Sequence, residues 1–244
     1  MKTHAALLFV ALILITFAES ARSTSAEKKD APTQYSYTDL SLAGGSCLGL
    51  STGRGINSSG HIVGSLSGPQ FGEHAYLYRH GTLTDLNTLL DPSDVSYVTL
   101  LVATAISDNG LITAQGRDSR MPSADGWGFL IADGKVKNLG SLGGDAAYPN
   151  AVNSDGEVVG QALLNDFISY RAFVYRDGTM TNLNTVIEPS HPLPPSIYLR
   201  EAFGITERGS IAVFAYDSQA GVSHCYLLKP INHRGHETGS DLFP

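Results

Sequence analysis

Cysteine is almost missing from this chain. Cys47 and Cys225 are the only two, which excludes a disulfide-dense scaffold and a multi-cysteine metal centre. Positive charge is also scarce: 16 Lys and Arg against 23 Asp and Glu give a net charge of -7, with no basic cluster. That balance argues against a nucleic-acid or anionic-lipid partner and suits a neutral or cationic one. Long apolar runs are confined to the 14 residues from Ala5 to Ala18, ended by Glu19, short of the roughly 20 that cross a bilayer. Helical periodicity is missing as well. The string Gly49-Leu50-Ser51-Thr52-Gly53 therefore lacks the strand-to-helix setting of a nucleophile elbow.

What is present begins with an address. Lys2, the apolar run and the small residues Ala18 and Ser20 form a secretory signal over residues 1–20, with cleavage expected after Ser20. Residues 21–34 are polar and without period, a flexible linker, and residues 231–244 form a similar disordered tail. The expected product is secreted, extracellular or periplasmic, with no transmembrane segment in the mature chain and a single domain over residues 35–230.

Within that domain one turn recurs: INSSG (56–60), ISDNG (106–110), VNSDG (152–156) and ITERG (205–209). The closing glycines are 50, 46 and 53 residues apart, a period that suits a four-stranded propeller blade. After each turn comes an alternating second strand (HIVGSLS, LITAQGR, EVVGQAL, SIAVFAY) and then a third (HAYLY, WGFLI, RAFVY, HCYLL). Three units turn through His80-Gly81, Asp133-Gly134 and Asp177-Gly178, strong hairpin chemistry. A short fourth strand follows, with the pattern apolar, x, Asp or Asn, Leu: LTDL, VKNL, MTNL.

One further copy of that pattern, Tyr37-Thr38-Asp39-Leu40, stands alone near the N-terminus, while the last unit runs into Lys229-Pro230 without a fourth strand. The fold expected is an all-β, four-repeat β-propeller of four antiparallel four-stranded blades, the last completed by the N-terminal strand, so that no edge stays open. A disulfide between Cys47 and Cys225 would lock first unit to last; alternatively Cys225 is a small core residue at the position of Ala75, Gly128 and Ala172. Small residues before each turn (Gly55, Ala105, Ala151, Gly204) mark inner strands crowding an axis, with Arg54, Thr104, Asn150 and Glu201 as channel-lining candidates.

These strings, GIN…G…VG followed by HAY or RAF, a Gly turn and a strand ending in Leu, resemble the bacterial extracellular HAF-repeat family, named for a His-Ala-Phe tripeptide. Here the tripeptide reads His74-Ala75-Tyr76, Trp127-Gly128-Phe129, Arg171-Ala172-Phe173 and His224-Cys225-Tyr226. The resemblance spans residues 37–229, is nearest in the stretch Leu139 to Gln161, and is weaker in the second and fourth units. It implies a secreted repeat protein and no particular reaction.

Because the first-to-second-strand turns are tight and the opposite loops vary, a ligand is expected on the variable-loop face. Its candidates are Tyr97, Asp118, Asp125, Tyr148, Asp166 and Phe167, carboxylates and rings of the kind that bind sugar hydroxyls and pyranose faces. The function expected is a binding or surface-interaction module for a glycan or cell-surface protein, monomeric and without cofactor. No residue set suggests catalysis or a metal, and His233 and His236 lack further ligands. One alternative is an extracellular carbohydrate-active enzyme using two of Asp118, Asp125, Asp166 and Glu188; another is half of a larger ring. Asn57-Ser58-Ser59 is a glycosylation sequon in a tight turn, and His74 and His224 share a structural third-strand position.

Overall fold

A computed structural model describes residues 35–36, 50–68, 72–121 and 125–231. The chain divides into two compact units, Met1–Thr38 and Asp39–Pro244. Of the first unit only Tyr35 and Ser36 are described, and both are exposed. The signal segment, linker 21–34, the Tyr37 to Leu40 strand, Cys47, and the tail from residue 232 with its two histidines lie outside the described residues.

Among the described residues of the second unit there are fifteen strands in four sheets. The first sheet holds β1 (Leu50–Ile56), β2 (Ile62–Gly68), β3 (Gly72–Arg79) and β4 (Thr82–Asp85). The second holds β5 (Val98–Ile106), β6 (Ile112–Asp118), β7 (Asp125–Ala132) and β8 (Lys135–Asn138). The third holds β9 (Gly143–Val152), β10 (Val158–Leu164), β11 (Tyr170–Arg176) and β12 (Thr179–Asn182). The fourth has three strands, β13 (Ile197–Ile205), β14 (Ile211–Asp217) and β15 (Val222–Leu228). Each is an antiparallel meander in chain order, as the repeated strand pattern implies.

The first turn of every unit is built by its polar second residue. Asn57 Oδ1 accepts from the Ser59 and His61 N–H groups, Asn153 Oδ1 from Glu157 N–H, Ser107 Oγ from Leu111 N–H and Thr206 Oγ1 from Ser210 N–H. The closing glycines need positive φ, 74° at Gly60 and 90° at Gly110, which explains their recurrence. These turns are chained from sheet to sheet. Asn57 Nδ2 donates to Ser107 O at 3.1 Å, Asn109 Nδ2 to Ser154 O at 2.7 Å and Asn153 Nδ2 to Thr206 O at 3.3 Å. The third-to-fourth-strand hairpins have positive φ at both central residues, as at Asp177 (51°) and Gly178 (84°), the primed geometry that matches strand twist.

Every inner strand carries a bulge at one repeated place, where Arg54, Thr104, Asn150 and Phe203 are passed over in the pairing with the second strand. Three of these four are the channel candidates. Thr104 is buried, its hydroxyl 2.9 Å from that of Thr113. Asn150 Nδ2 donates to Glu201 Oε1 at 2.9 Å and Ala202 O at 3.0 Å, tying the third sheet to the fourth, and Arg54 is exposed.

Sheets stack in chain order. Val63, Ala75 and Leu77 of the first sheet pack with Leu100, Ile112 and Phe129 of the second. Leu130 of the second packs with Val158 and Phe173 of the third, and Val159 and Val174 of the third with Leu199 and Val213 of the fourth. Close approach of inner strands needs small residues: a Cβ on Gly55 would lie 2.9 Å from Ala105 Cα. The onward face of the fourth sheet differs. Leu227, in register with Leu77 and Val174, is 61% exposed where those are each 6% exposed; Ala212 and Cys225 are exposed, and nothing lies within 4 Å of a Cβ placed on Gly204. Among the described residues the broad packing of the fourth sheet is on the third alone.

Three shorter elements fall where the sequence suggests plain loop: 3-10 turns over Leu86–Leu89 and Leu183–Thr185, and a one-turn helix α1 (Pro92–Val95). Asp85 and Asn182 cap these 3-10 turns, each accepting from the N–H two residues on. Asn184 then pairs with Leu199 like a strand neighbour, Oδ1 accepting from its N–H at 2.7 Å and Nδ2 donating to its carbonyl at 2.9 Å; Asn87 does the same to Leu100.

Candidate ligand-binding face

In each meander the second-to-third-strand loop and the connection to the next sheet lie at the end opposite the chained turns, and that end carries the functional candidates. Two groups of aromatic and cationic side chains stand there.

The first is built on the end of β6. Asp118 is 1% exposed and accepts from Arg120 Nε and Nη2, both at 2.9 Å, and from Arg120 N–H at 3.1 Å. The guanidinium hydrogen bond holds the Asp118 carboxyl below its ordinary range against the opposing effect of burial, and raises Arg120 in turn. Arg120 lies 5.1 Å from the centre of the Tyr97 ring, which is 48% exposed. Asp118 is thus spent on positioning Arg120, and Tyr97 with Arg120 is the surface offered to solvent.

The second group joins the third and fourth sheets. The rings of Tyr148 and Tyr170 are 5.9 Å apart, and burial raises the Tyr148 phenol above its usual pKa. Arg171, next in β11, puts its guanidinium 4.3 Å from the Tyr198 ring centre, and Tyr198 lies 5.8 Å from Tyr216. Arg171 Nη1 donates to Tyr170 O at 2.8 Å. Ser218 N–H and Oγ both donate to Ser196 O, fixing the loop after β14 beside the approach to β13.

The other sequence candidates separate. Asp166 Oδ1 accepts from the N–H groups of Ile168 and Ser169. Its carboxyl is lowered to about 2, chiefly by the Ser169 side chain, then by those N–H groups. Phe167 is exposed at φ 55° in the same turn. Asp125 opens β7, with its side chain outside the described set. Glu188 Oε2 is 3.6 Å from His191 Nδ1 on the exposed connection before β13. Cys225 is exposed and has no disulfide partner among the described residues. Leu50 to Gly53 lie in β1, followed by a turn and β2 rather than a helix. Among the described residues no cluster of three His, Cys, Asp or Glu is placed to hold a metal, and no helix is long and apolar enough to cross a membrane.

Sequence reasoning missed Tyr170, Arg171, Tyr198 and Tyr216. The signal for Arg171 was present, because it occupies the third-strand position of His74, Trp127 and His224. The tyrosines come together only through the stacking of two sheets. The chain matches no family model, no curated protein and no solved structure.

Proposed function

We propose that this chain is a secreted binding or surface-interaction module, a four-bladed propeller of the HAF-repeat kind, that takes a glycan on the face formed by its variable loops. The observation that carries this reading is the Arg171 group: a guanidinium stacked on Tyr198, beside Tyr216 and the Tyr148–Tyr170 pair. Tyrosine faces suit pyranose rings, and a guanidinium suits sugar hydroxyls or carboxylates. The opposite end, tied turn to turn, is the rigid side of the scaffold. Binding to an array of neutral and acidic glycans tests it. Tyr198→Ala with Tyr216→Ala is expected to weaken binding about tenfold or more, as is Tyr97→Ala with Tyr148→Ala for a ligand that spans both groups; unchanged binding in both pairs ends the assignment. The hydrolase alternative has little to favour it, since Asp118 and Asp166 are already occupied.

In this reading the ring closes within one chain. The first sheet covers the onward face of the fourth, the Tyr37 to Leu40 strand fills the missing place beside β15, and Cys47 bonds Cys225, which lies on that face. Peptide mapping of the non-reduced protein tests closure. An intrachain Cys47–Cys225 bridge agrees with it; a bridge between chains, together with a dimer by light scattering, favours instead a head-to-tail pair, which the uncovered apolar face would equally serve.

A further inference from the structure

Two arginines among the described residues stack on tyrosine rings, and their charges are handled differently. Arg120 lies over Tyr97 and is neutralised by Asp118, which accepts from its Nε and Nη2. Arg171 lies closer to its ring, 4.3 Å from the centre of Tyr198, yet no carboxylate pairs with it among the described residues. Its hydrogen bond to the protein runs from Nη1 to Tyr170 O at 2.8 Å. A guanidinium carries five N–H donors, so the rest are open to water or a ligand. The Asp166 carboxyl does feel this charge, but it is lowered first by the Ser169 side chain and last by Arg171, and its Oδ1 is held within its own turn. Arg171 is thus a half-buried cation, fixed in place and left without a counter-ion.

A guanidinium that is held but not neutralised favours one kind of partner. Tyr198 supports its plane and Tyr170 O holds one end, and the fork that remains has the spacing of the two oxygens of a carboxylate. A sugar hydroxyl brings no charge, and hydrogen bonds to a charged pair are the stronger ones. One face of Tyr198 is taken by Arg171, so Tyr216, 5.8 Å away with its ring inclined by 58°, is the neighbouring surface for a pyranose. With cation and ring side by side, a carboxyl bonded directly to the pyranose ring suits the pair better than one on a long arm. The net charge of -7 opposes a dense polyanion, but salt screens it beyond about 8 Å. A single carboxylate in an otherwise neutral glycan is what the local charge selects.

We propose that Arg171 reads a sugar carboxylate: the glycan on this face presents an acidic pyranose, its carboxylate on the open fork of Arg171 and its ring against Tyr216. This rests on the glycan-binding reading above and adds the class of sugar and the residue that selects it. Tyr198 acts here as a positioning residue.

Calorimetry on the full-length protein tests it with two acids, sialyllactose and a xylo-oligosaccharide bearing one glucuronate, each beside its carboxyl methyl ester, which keeps the shape and loses the charge. At least one acid is expected to bind about tenfold or more tighter than its ester, and which one does so tells sialate from uronate. This ratio is read on the unaltered protein and needs no variant. Arg171→Gln should bring it to about one by weakening the acid, and Arg171→Lys, which keeps the charge without the fork, should restore only part. Arg208→Gln, an equal loss of charge on an exposed residue of the chained turns at the opposite end, should leave the ratio intact. Acid and ester binding alike, a ratio that survives Arg171→Gln, or binding confined to neutral glycans overturns the carboxylate reading and leaves the glycan reading standing. No binding to any acid, ester or neutral glycan overturns both.

Discussion

Asn184→Ala is the substitution whose cost can be worked from the structure. Asn184 sits one residue after Leu183, which is 3% exposed, and its amide replaces a strand partner for Leu199, a residue with no exposed surface. Truncation removes three side-chain hydrogen bonds, two to Leu199 and one to Asn182 Oδ1, each worth about 1 kcal/mol net, and leaves one backbone N–H and one C=O of Leu199 in a buried setting, where an unmet group costs about 1–3 kcal/mol. Partial rehydration through the exposed neighbour Thr185 lowers the sum, and about 3 kcal/mol is expected. For a domain of this size that is a drop of about 6–12 °C in Tm, read by calorimetry or circular dichroism. Asn184→Asp is the sharper control: it keeps an acceptor for Leu199 N–H but turns an oxygen toward Leu199 O, so it should be at least as damaging. Asn87→Ala, the same clamp on Leu100, should cost a similar amount and add to it. A shift under about 2 °C for Asn184→Ala, or a wild-type melt for Asn184→Asp, refutes the reasoning.

Three other outcomes are expected. Asp118 has a folded pKa below its unfolded one, so its pairing with Arg120 contributes fully above the ordinary carboxylate range and is lost as pH falls through the lowered value; Asp118→Asn should cost about 1.5–3 kcal/mol at pH 7 and flatten the acid limb of a stability profile. Ser169→Ala should raise the Asp166 titration from about 2 yet leave it below the usual range, because the N–H groups of Ile168 and Ser169 remain; carbon NMR of the carboxyl reads this, and an unmoved midpoint contradicts the assignment. Gly160→Ala would bring a Cβ to 2.0 Å from Tyr148 O, forcing β9 away from β10 at a cost of about 1–3 kcal/mol or more, to be measured by urea denaturation.

Strand identity and order were legible because the repeat states them four times. The Asn, Ser or Thr of each first turn, its glycine, and the His-Gly or Asp-Gly of each hairpin act within a few residues, so local chemistry is enough to read them. The bulge was half legible: Arg54, Thr104 and Asn150 stood out as polar residues on crowded strands, but Phe203 holds the fourth such place and Glu201 is instead the acceptor for Asn150. The loop face was read less well, since composition alone does not tell a carboxylate that meets solvent from one, like Asp118, consumed by a neighbour two residues away. Contacts such as Arg171 with Tyr198 depend on how one sheet lies on the next, and no pattern within a single repeat encodes that.

The exposed onward face of the fourth sheet has a bearing on how such a chain changes over generations. Leu227, Ala212 and Cys225 hold the register places that Leu77, Val63 and Ala75 hold in the first sheet, so every sheet ends in much the same surface that the next one begins on. Copying a stretch of about fifty residues in frame would therefore add a sheet without inventing a new contact. The length of the array is an inheritable variable, and the sequence between the chained turns is the unit that gene duplication can count in.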